Sequence, residues 1–340
     1  MPKELIGVAP GRLEWREYEE TPVGAGDVRV ASEHAAAKHG TEMSFFKGYA
    51  NPRGSYDRDL GLFTGEGRAD AEYGVGNMFA GSVVETGTAV SGLRPGDRVF
   101  AYGPFRESHV LPAGHCYRLE PGVSWKSAVC LDPAVFAMGA VRDGHVRLGD
   151  RVAVFGLGAI GLVAVQMARL TGAFEVIAVD PIALRREVAG RTGATLTLDP
   201  SACDAGREIK LATGGAGVDV AIEYSGTVPG LQQALRAVAF GGTVVCGAYP
   251  GPYPAGLDLG GEAHFNRPDV VFSRVNSDPS RDHPRWDEQR VYRACLKLIA
   301  ERRLDGDEIV QPVVRFADLA EEYPRIADAP ETLVKLGVDY

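Results

Sequence analysis

The stretch that most constrains this chain is residues 151–181, RVAVFGLGAIGLVAVQMARLTGAFEVIAVDP. Arg151 to Phe155 is a short apolar run rich in Val, the pattern of a buried strand. Gly156, Gly158 and Gly161 follow it in GxGxxG spacing, and Leu162 to Leu170 continues as an apolar, Ala-rich helical segment. Each glycine has a physical use: Gly156 permits the tight turn, Gly158 lets backbone approach a pyrophosphate, and Gly161 lets the helix pack close to the strand. Leu157, Ala159 and Ile160 complete the turn, and the helix N-terminus offers unpaired N–H groups and a positive dipole end. A second strand, Glu175 to Val179, leads into Asp180 and Pro181 about twenty residues past the turn, where a carboxylate would accept hydrogen bonds from an adenosine ribose. The plainer reading is a structural turn and a surface carboxylate. A carboxylate at Asp180 argues for NAD over NADP because it repels a 2′-phosphate. Arg185 and Arg186 pull the other way, since an arginine there can flank the adenine or meet a phosphate.

Downstream, Thr195–Leu198, Gly217–Glu223, Gly241–Gly247 and Val270–Phe272 read as further strands, most of them separated by helical segments. That alternation predicts an α/β, doubly wound parallel sheet. Ligands of such sheets sit outside the carboxyl ends of the strands, which nominates Ser225, Gly226, Ala248, Tyr249, Ser273 and Arg274 as cofactor-lining positions. Each is equally consistent with turn chemistry.

With 340 residues the chain has room for two domains. A net charge of −9 and a pI near 5.4 provide no basic surface for nucleic acid or acidic membranes, so a small-molecule partner is expected. Neither a signal peptide nor an apolar run of membrane-spanning length stands out, and a cytoplasmic protein is the expectation. Cys116, Cys130, Cys203, Cys246 and Cys295 are odd in number and scattered, which suits free thiols, and the absence of CxxC excludes a four-cysteine zinc lobe. Residues 1–131 lean towards β, with Asp27–Ala31, Ala80–Gly87 and Arg98–Ala101 the clearest strands. Between Phe45 and Gly76 lies a long stretch without clear period, holding Tyr49, Arg53, Tyr56, Asp57, Arg58, Phe63, Glu66 and Arg68; it reads as a substrate-facing wall or a subunit-contact loop. Ser124–Val146 and Asp287–Arg303 read as helices, and Leu333–Leu336 as a terminal strand. The expected organisation is a first domain, 1–131, completed by 285–340, around a second, 132–284.

Lys38-His39-Gly40-Thr41-Glu42, the Leu93–Val99 turn, Gly149-Asp150, Gly156–Gly161 and Gly241-Gly242, in this order and spacing, resemble the medium-chain dehydrogenase/reductase superfamily over nearly the whole chain. The resemblance implies a GroES-like, mainly β catalytic domain, a Rossmann domain, a cleft where hydride passes to or from nicotinamide, and a homodimer or homotetramer. Zinc members of that superfamily carry a cysteine in a CGTD-like segment, a GHE triplet and a third ligand before the Rossmann strand. The matching positions here are His39, then Asn77 and Met78, then Asp132. Asparagine and methionine are poor zinc partners, so no catalytic metal is expected, although His39 and Asp132 with Glu66 or His34 form an alternative donor set. The likeness is greatest to a metal-free branch that includes bacteriochlorophyllide dehydrogenase and several sugar or cyclitol dehydrogenases.

Without a metal, a side chain must take the hydroxyl proton. His39, with an ordinary pKa of about 6.5, is one candidate base; Lys38 is the other, since a desolvated lysine titrates near about pH 7 to 8. Thr41 matches the hydroxyl relay position of alcohol dehydrogenases, with Glu42 and Asn77 orienting groups and Asp132 raising the basicity of a neighbour. The plainer alternative makes Thr41 a helix cap and Glu42 a structural ion-pair partner. The favoured expectation is NAD-dependent oxidation of a secondary alcohol on a polar sugar, cyclitol or polyol to a ketone. A zinc-free quinone or enone reductase and a non-catalytic NAD-binding protein are the competitors.

Overall fold

The structure, a computed structural model, describes residues 1–49, 53–66, 72–277 and 279–340, without the side chains of His39 and Glu66. Arg68 of the expected loop wall therefore lies outside the described residues. The chain forms two compact units, one of Met1–Val129, Val310–Ala329 and Lys335–Tyr340, the other of Cys130–Ile309 and Pro330–Val334. The sequence places the second crossing at 284/285; the compact unit holds the chain to Ile309 because the helix Glu288–Ala300 packs on the helix Leu131–Asp143.

The first unit opens with β1 (Lys3–Ala9), β2 (Arg12–Glu17), β3 (Asp27–Ala36), α1 (His39–Phe46), β4 (Arg53–Asp57), β5 (Leu62–Glu66) and β6 (Tyr73–Gly74). It continues through β7 (Met78–Thr86), β8 (Arg98–Tyr102), β9 (Ser108–Pro112), β10 (Tyr117–Arg118) and the short helix α2 (Trp125–Ala128). Val28 and Val30 of β3 point into the core between outward Arg29 and its neighbours, the period-two pattern of a half-buried strand. β3 pairs antiparallel with β7 and β9, and the approach to β7 is close enough that a Cβ on Gly81 would meet the Ala31 carbonyl oxygen at 1.9 Å. The unperiodic stretch after Phe45 contains an antiparallel hairpin, β4 with β5, in which Tyr56 packs edge-on to Phe63 at 5.2 Å and the Arg53 guanidinium lies 5.6 Å from the Phe63 ring.

The second unit consists of α3 (Leu131–Asp143), β11 (Arg151–Phe155), α4 (Ala159–Leu170), β12 (Glu175–Val179), α5 (Ala183–Thr192), β13 (Leu196–Leu198), α6 (Ala205–Ala212), β14 (Val218–Glu223), α7 (Val228–Ala237), β15 (Val238–Cys246), α8 (Glu262–Asn266), β16 (Asp269–Phe272) and α9 (Glu288–Ala300). Its six strands are parallel in the order β13-β12-β11-β14-β15-β16, with β11 in the middle, so the chain winds outwards twice from one central strand. The single helix expected over Ser124–Val146 is two helices. Pro133, in the first turn of α3, has no N–H to donate to Val129, so α2 ends and a new helix begins.

The chain then returns to the first unit with β17 (Val310–Arg315), α10 (Leu319–Asp328) and β18 (Lys335–Asp339). β18 pairs antiparallel with β3 and parallel with β17, completing a sheet in the order β10-β8-β7-β3-β18-β17 with β9 on β3. The terminal strand thus begins at Lys335 rather than at Leu333. Among the described residues no helix is long and apolar enough to cross a membrane.

Candidate active site

The three glycines of the GxGxxG turn are distinguished by what surrounds them. Gly156 has φ +85°, and a Cβ there would meet the Ser225 backbone nitrogen at 2.4 Å. At Gly161 a Cβ would strike the Gly156 carbonyl oxygen at 1.9 Å, so this position sets the approach of α4 to the end of β11. A Cβ on Gly158 would meet nothing within 4 Å: the space above it is open to a ligand. Gly158 is the N-cap of α4 and makes no side-chain capping bond, so the first-turn N–H groups face that space with the positive end of a twelve-residue helix. Leu157 is buried, while Ala159 and Ile160 are half-buried on the first turn. The residues present therefore fit a pyrophosphate.

Asp180 is 3% exposed at the end of β12, and both its oxygens are used. Oδ2 accepts the Leu157 N–H at 2.7 Å and Oδ1 the Ile182 N–H at 2.8 Å. The carboxylate thus ties the glycine turn to the neighbouring strand, beyond the ribose role expected for it. The Arg185 Nη1 stands 3.8 Å from Asp180 Oδ2, and Arg186 donates to the Asp180 carbonyl at 2.7 Å and pairs with Asp199 at 3.2 Å. Both arginines are engaged within the unit. Pro181 is exposed beside them.

At the carboxyl ends of β14 to β16, turn chemistry accounts for part of the nominated set. The Ser225 hydroxyl donates to Glu223 Oε1 and lies 3.0 Å from Thr227 Oγ1, and Gly226 adopts φ +65° while donating its N–H to Glu223. Glu223, 1% exposed, was not among the nominated residues; burial pushes its carboxyl above the usual range, and bonds from Ser225 and Gly226 act against that. A charge closing the apolar run of β14 was the available signal. Ala248 donates its N–H to the Glu223 carbonyl, Tyr249 is 74% exposed, Ser273 donates its N–H to Cys246 O, and Arg274 is exposed beside Ser277.

In the first unit, Lys38 is the N-cap of α1 and His39 its first residue, with a side chain outside the described structure. Glu42, one turn on, is 5% exposed and caged: Oε1 accepts the N–H of Lys38 at 2.5 Å and of Gly76 at 3.2 Å, and Oε2 accepts the Tyr323 hydroxyl at 3.0 Å. Lys335, 2% exposed, donates its ammonium to the Ala37 carbonyl and acts on Glu42 through its charge. Burial raises the Glu42 carboxyl pKa; the Lys38, Tyr323, Lys335 and Gly76 groups oppose this. Tyr323 and Lys335 gave no sequence signal, standing far along the chain on α10 and β18. Thr41 is exposed inside α1 and does not cap it. Asn77, 9% exposed, follows Gly76 at the entry to β7, and its Nδ2 has no hydrogen-bond partner among the described residues. Asp132 is buried in the first turn of α3, in the other unit.

A zinc ion is a poor match for the described donors. Met78 is fully buried and offers a thioether, Asn77 an amide, and Glu42 is already caged. His34 stacks on Trp125 at 4.5 Å and pairs with Asp339 at 2.8 Å. Among the described residues no group of three His, Cys, Asp or Glu side chains is arranged to hold a metal ion.

Residues 159–287 match the family model of zinc-binding dehydrogenases. D-guloside 3-dehydrogenase of Escherichia coli K12 is 42% identical over 355 aligned positions, covering 99% of this chain and all of the relative. Among solved structures, 2R,3R-butanediol dehydrogenase from Bacillus subtilis superposes with a TM-score of 0.77 at 22% identity over the full length of both chains. Galactitol-1-phosphate dehydrogenase from Escherichia coli does so with 0.78 at 17% identity, covering 99% of this chain and 100% of its own. The parallel six-stranded sheet, the glycine turn at its centre and the full-length relative lead to one conclusion: the chain belongs to the zinc-binding dehydrogenases of the medium-chain dehydrogenase/reductase superfamily, oxidoreductases acting on CH–OH groups.

Proposed function

We propose that the protein is an NAD-dependent dehydrogenase that oxidises a secondary alcohol of a sugar, cyclitol or polyol to a ketone without a catalytic zinc. The observation that carries the cofactor reading is the glycine turn, open at Gly158 and closed at Gly156 and Gly161, with the Asp180 carboxylate at its rim. Gly156, Leu157, Gly158, Ala159, Ile160 and Gly161 would receive the pyrophosphate; Asp180, with Pro181 and Arg185, would receive the adenosine ribose. A second phosphate there would meet a buried carboxylate, while both nearby arginines are already engaged. Ser225, Gly226, Ala248, Tyr249, Ser273 and Arg274 would line the remainder through backbone and turn. The substrate class is supported by the full-length likeness to a D-guloside 3-dehydrogenase.

When bound, the nicotinamide accepts the hydride. The chain's own part is to hold the alcohol and receive its proton, so that the C–H pair leaves as hydride while the O–H proton passes to a base. Lys38 or His39, at the N-terminus of α1, is that base, with the exposed Thr41 hydroxyl as relay. Glu42 holds the Lys38 backbone. The amide and thioether of Asn77 and Met78 support the metal-independent reading by their weakness as zinc donors. Five free cysteines suit a cytoplasmic protein. An edge strand, β16, with Phe272 74% exposed, suits a homodimer or homotetramer. The test is a panel of glycosides, polyols and cyclitols followed by formation of reduced dinucleotide. NADH formation with at least about a tenfold preference over NADPH is expected; a preference for NADPH would remove Asp180 from its role.

A further inference from the structure

Most buried polar groups in the first unit are satisfied, and Asn77 departs from that pattern. Of the described side-chain atoms buried without a hydrogen-bond partner, those of Arg29, Arg106 and Glu175 belong to ion-paired side chains. The Tyr73 and Ser108 hydroxyls also lack such compensation, on half-buried residues; Asn77 Nδ2 is the amide among these neutral groups, on a residue 9% exposed. Its backbone is held from both sides, donating its N–H to Ala36 O at 2.9 Å and accepting the Gly103 N–H at 3.0 Å. The preceding residue, Gly76, takes φ +103° and is tied through its N–H to Glu42, the carboxylate that also holds the N-cap of α1. A buried amide donor kept rigid and unsatisfied is suited to an acceptor that arrives with a ligand.

We propose that Asn77 is a catalytic residue whose Nδ2 donates a hydrogen bond to the oxygen of the reacting carbinol, strengthening as that oxygen gains negative charge. This rests on the dehydrogenase reading above and assigns a donor to the reacting oxygen within it. The proton leaves to the base at α1 and the hydride to the dinucleotide; the amide is unchanged by the cycle and supplies a fixed dipole. Glu42, Tyr323 and Lys335 are positioning residues for this arrangement, since the Gly76 N–H is fixed by the cage they form.

The test compares wild type, Asn77→Leu and Asn77→Asp on a glycoside or polyol that wild type oxidises, with kcat and the KM for NAD measured separately. Loss of a donor to developing charge predicts a fall in kcat of about 10²- to 10³-fold for Asn77→Leu. The KM for NAD should stay within about twofold, because the dinucleotide seat is untouched. Asn77→Asp, similar in shape but without the donor, should be at least as impaired, and it preserves the test if the leucine variant fails to fold. Wild-type turnover with either folded variant retaining kcat within about threefold overturns the hydrogen bond alone. Wild type that oxidises no sugar, polyol or cyclitol overturns the dehydrogenase reading and this assignment together.

Discussion

Two buried carboxylates, Asp180 and Glu42, do similar work in the two units and are supplied very differently. Asp180 draws its partners from the glycine turn and from its own next turn, the Leu157 and Ile182 N–H groups. Glu42 draws on Lys38 one turn back, Gly76 beyond a hairpin, Tyr323 on α10 and the charge of Lys335 on β18. The first arrangement follows from a strand, a turn and a helix adjacent in sequence, whereas the second exists only once the C-terminal strand has returned to β3. Local geometry ties the glycine turn together from neighbouring residues alone; an assembled cage ties the candidate catalytic segment to the integrity of its whole unit.

The comparison is broken most severely at the backbone of the local site. Gly161→Ala forces a Cβ onto the Gly156 carbonyl and should cost about 3 kcal/mol, read from denaturant midpoints, together with loss of NAD binding. An unchanged midpoint would mean the helix does not need this close approach. Asp180→Ala strands one buried and one part-buried N–H group, at a cost of about 2 kcal/mol, and should raise the KM for NAD about tenfold while sparing kcat at saturation. An unaltered KM would leave Asp180 a structural clamp only.

Tyr323→Phe sharpens the other side by removing one donor from Glu42, for about 1 kcal/mol. The pH dependence of stability then reports on Glu42 itself. Burial, the largest influence, raises its folded pKa, so its contribution is fully present below the ordinary carboxylate range and is lost as pH rises through the raised value. Urea titrations across that range should show stability falling with pH in wild type, less steeply in Glu42→Gln; equal slopes would place the dependence on another group.

What the sequence made legible follows the same division. The strand, turn and helix of residues 151–170 were readable because their periods and glycines are local, and so was the alternation of strands around them. The break between α2 and α3 lay in plain view at Pro133, but the surrounding apolar run outweighed it in a reading by periodicity. The hairpin Arg53–Glu66 has exposed apolar residues on a two-stranded ribbon, which gives no half-buried alternation to read. Of the cage, motif position marks Glu42 but neither Tyr323 nor Lys335. A tyrosine in an acidic amphipathic helix and a lysine opening a terminal strand carry no mark of burial until the fold brings a carboxylate to one and a carbonyl to the other.

The account stands most directly on whether side chains alone support hydride exchange. The measurement is the rate of NADH formation from an oxidised glycoside or polyol before and after exhaustive chelation, with elemental analysis of the same preparation. The account predicts zinc well below one ion per chain and an unchanged rate. Stoichiometric zinc whose removal abolishes turnover, and whose return restores it, would contradict it.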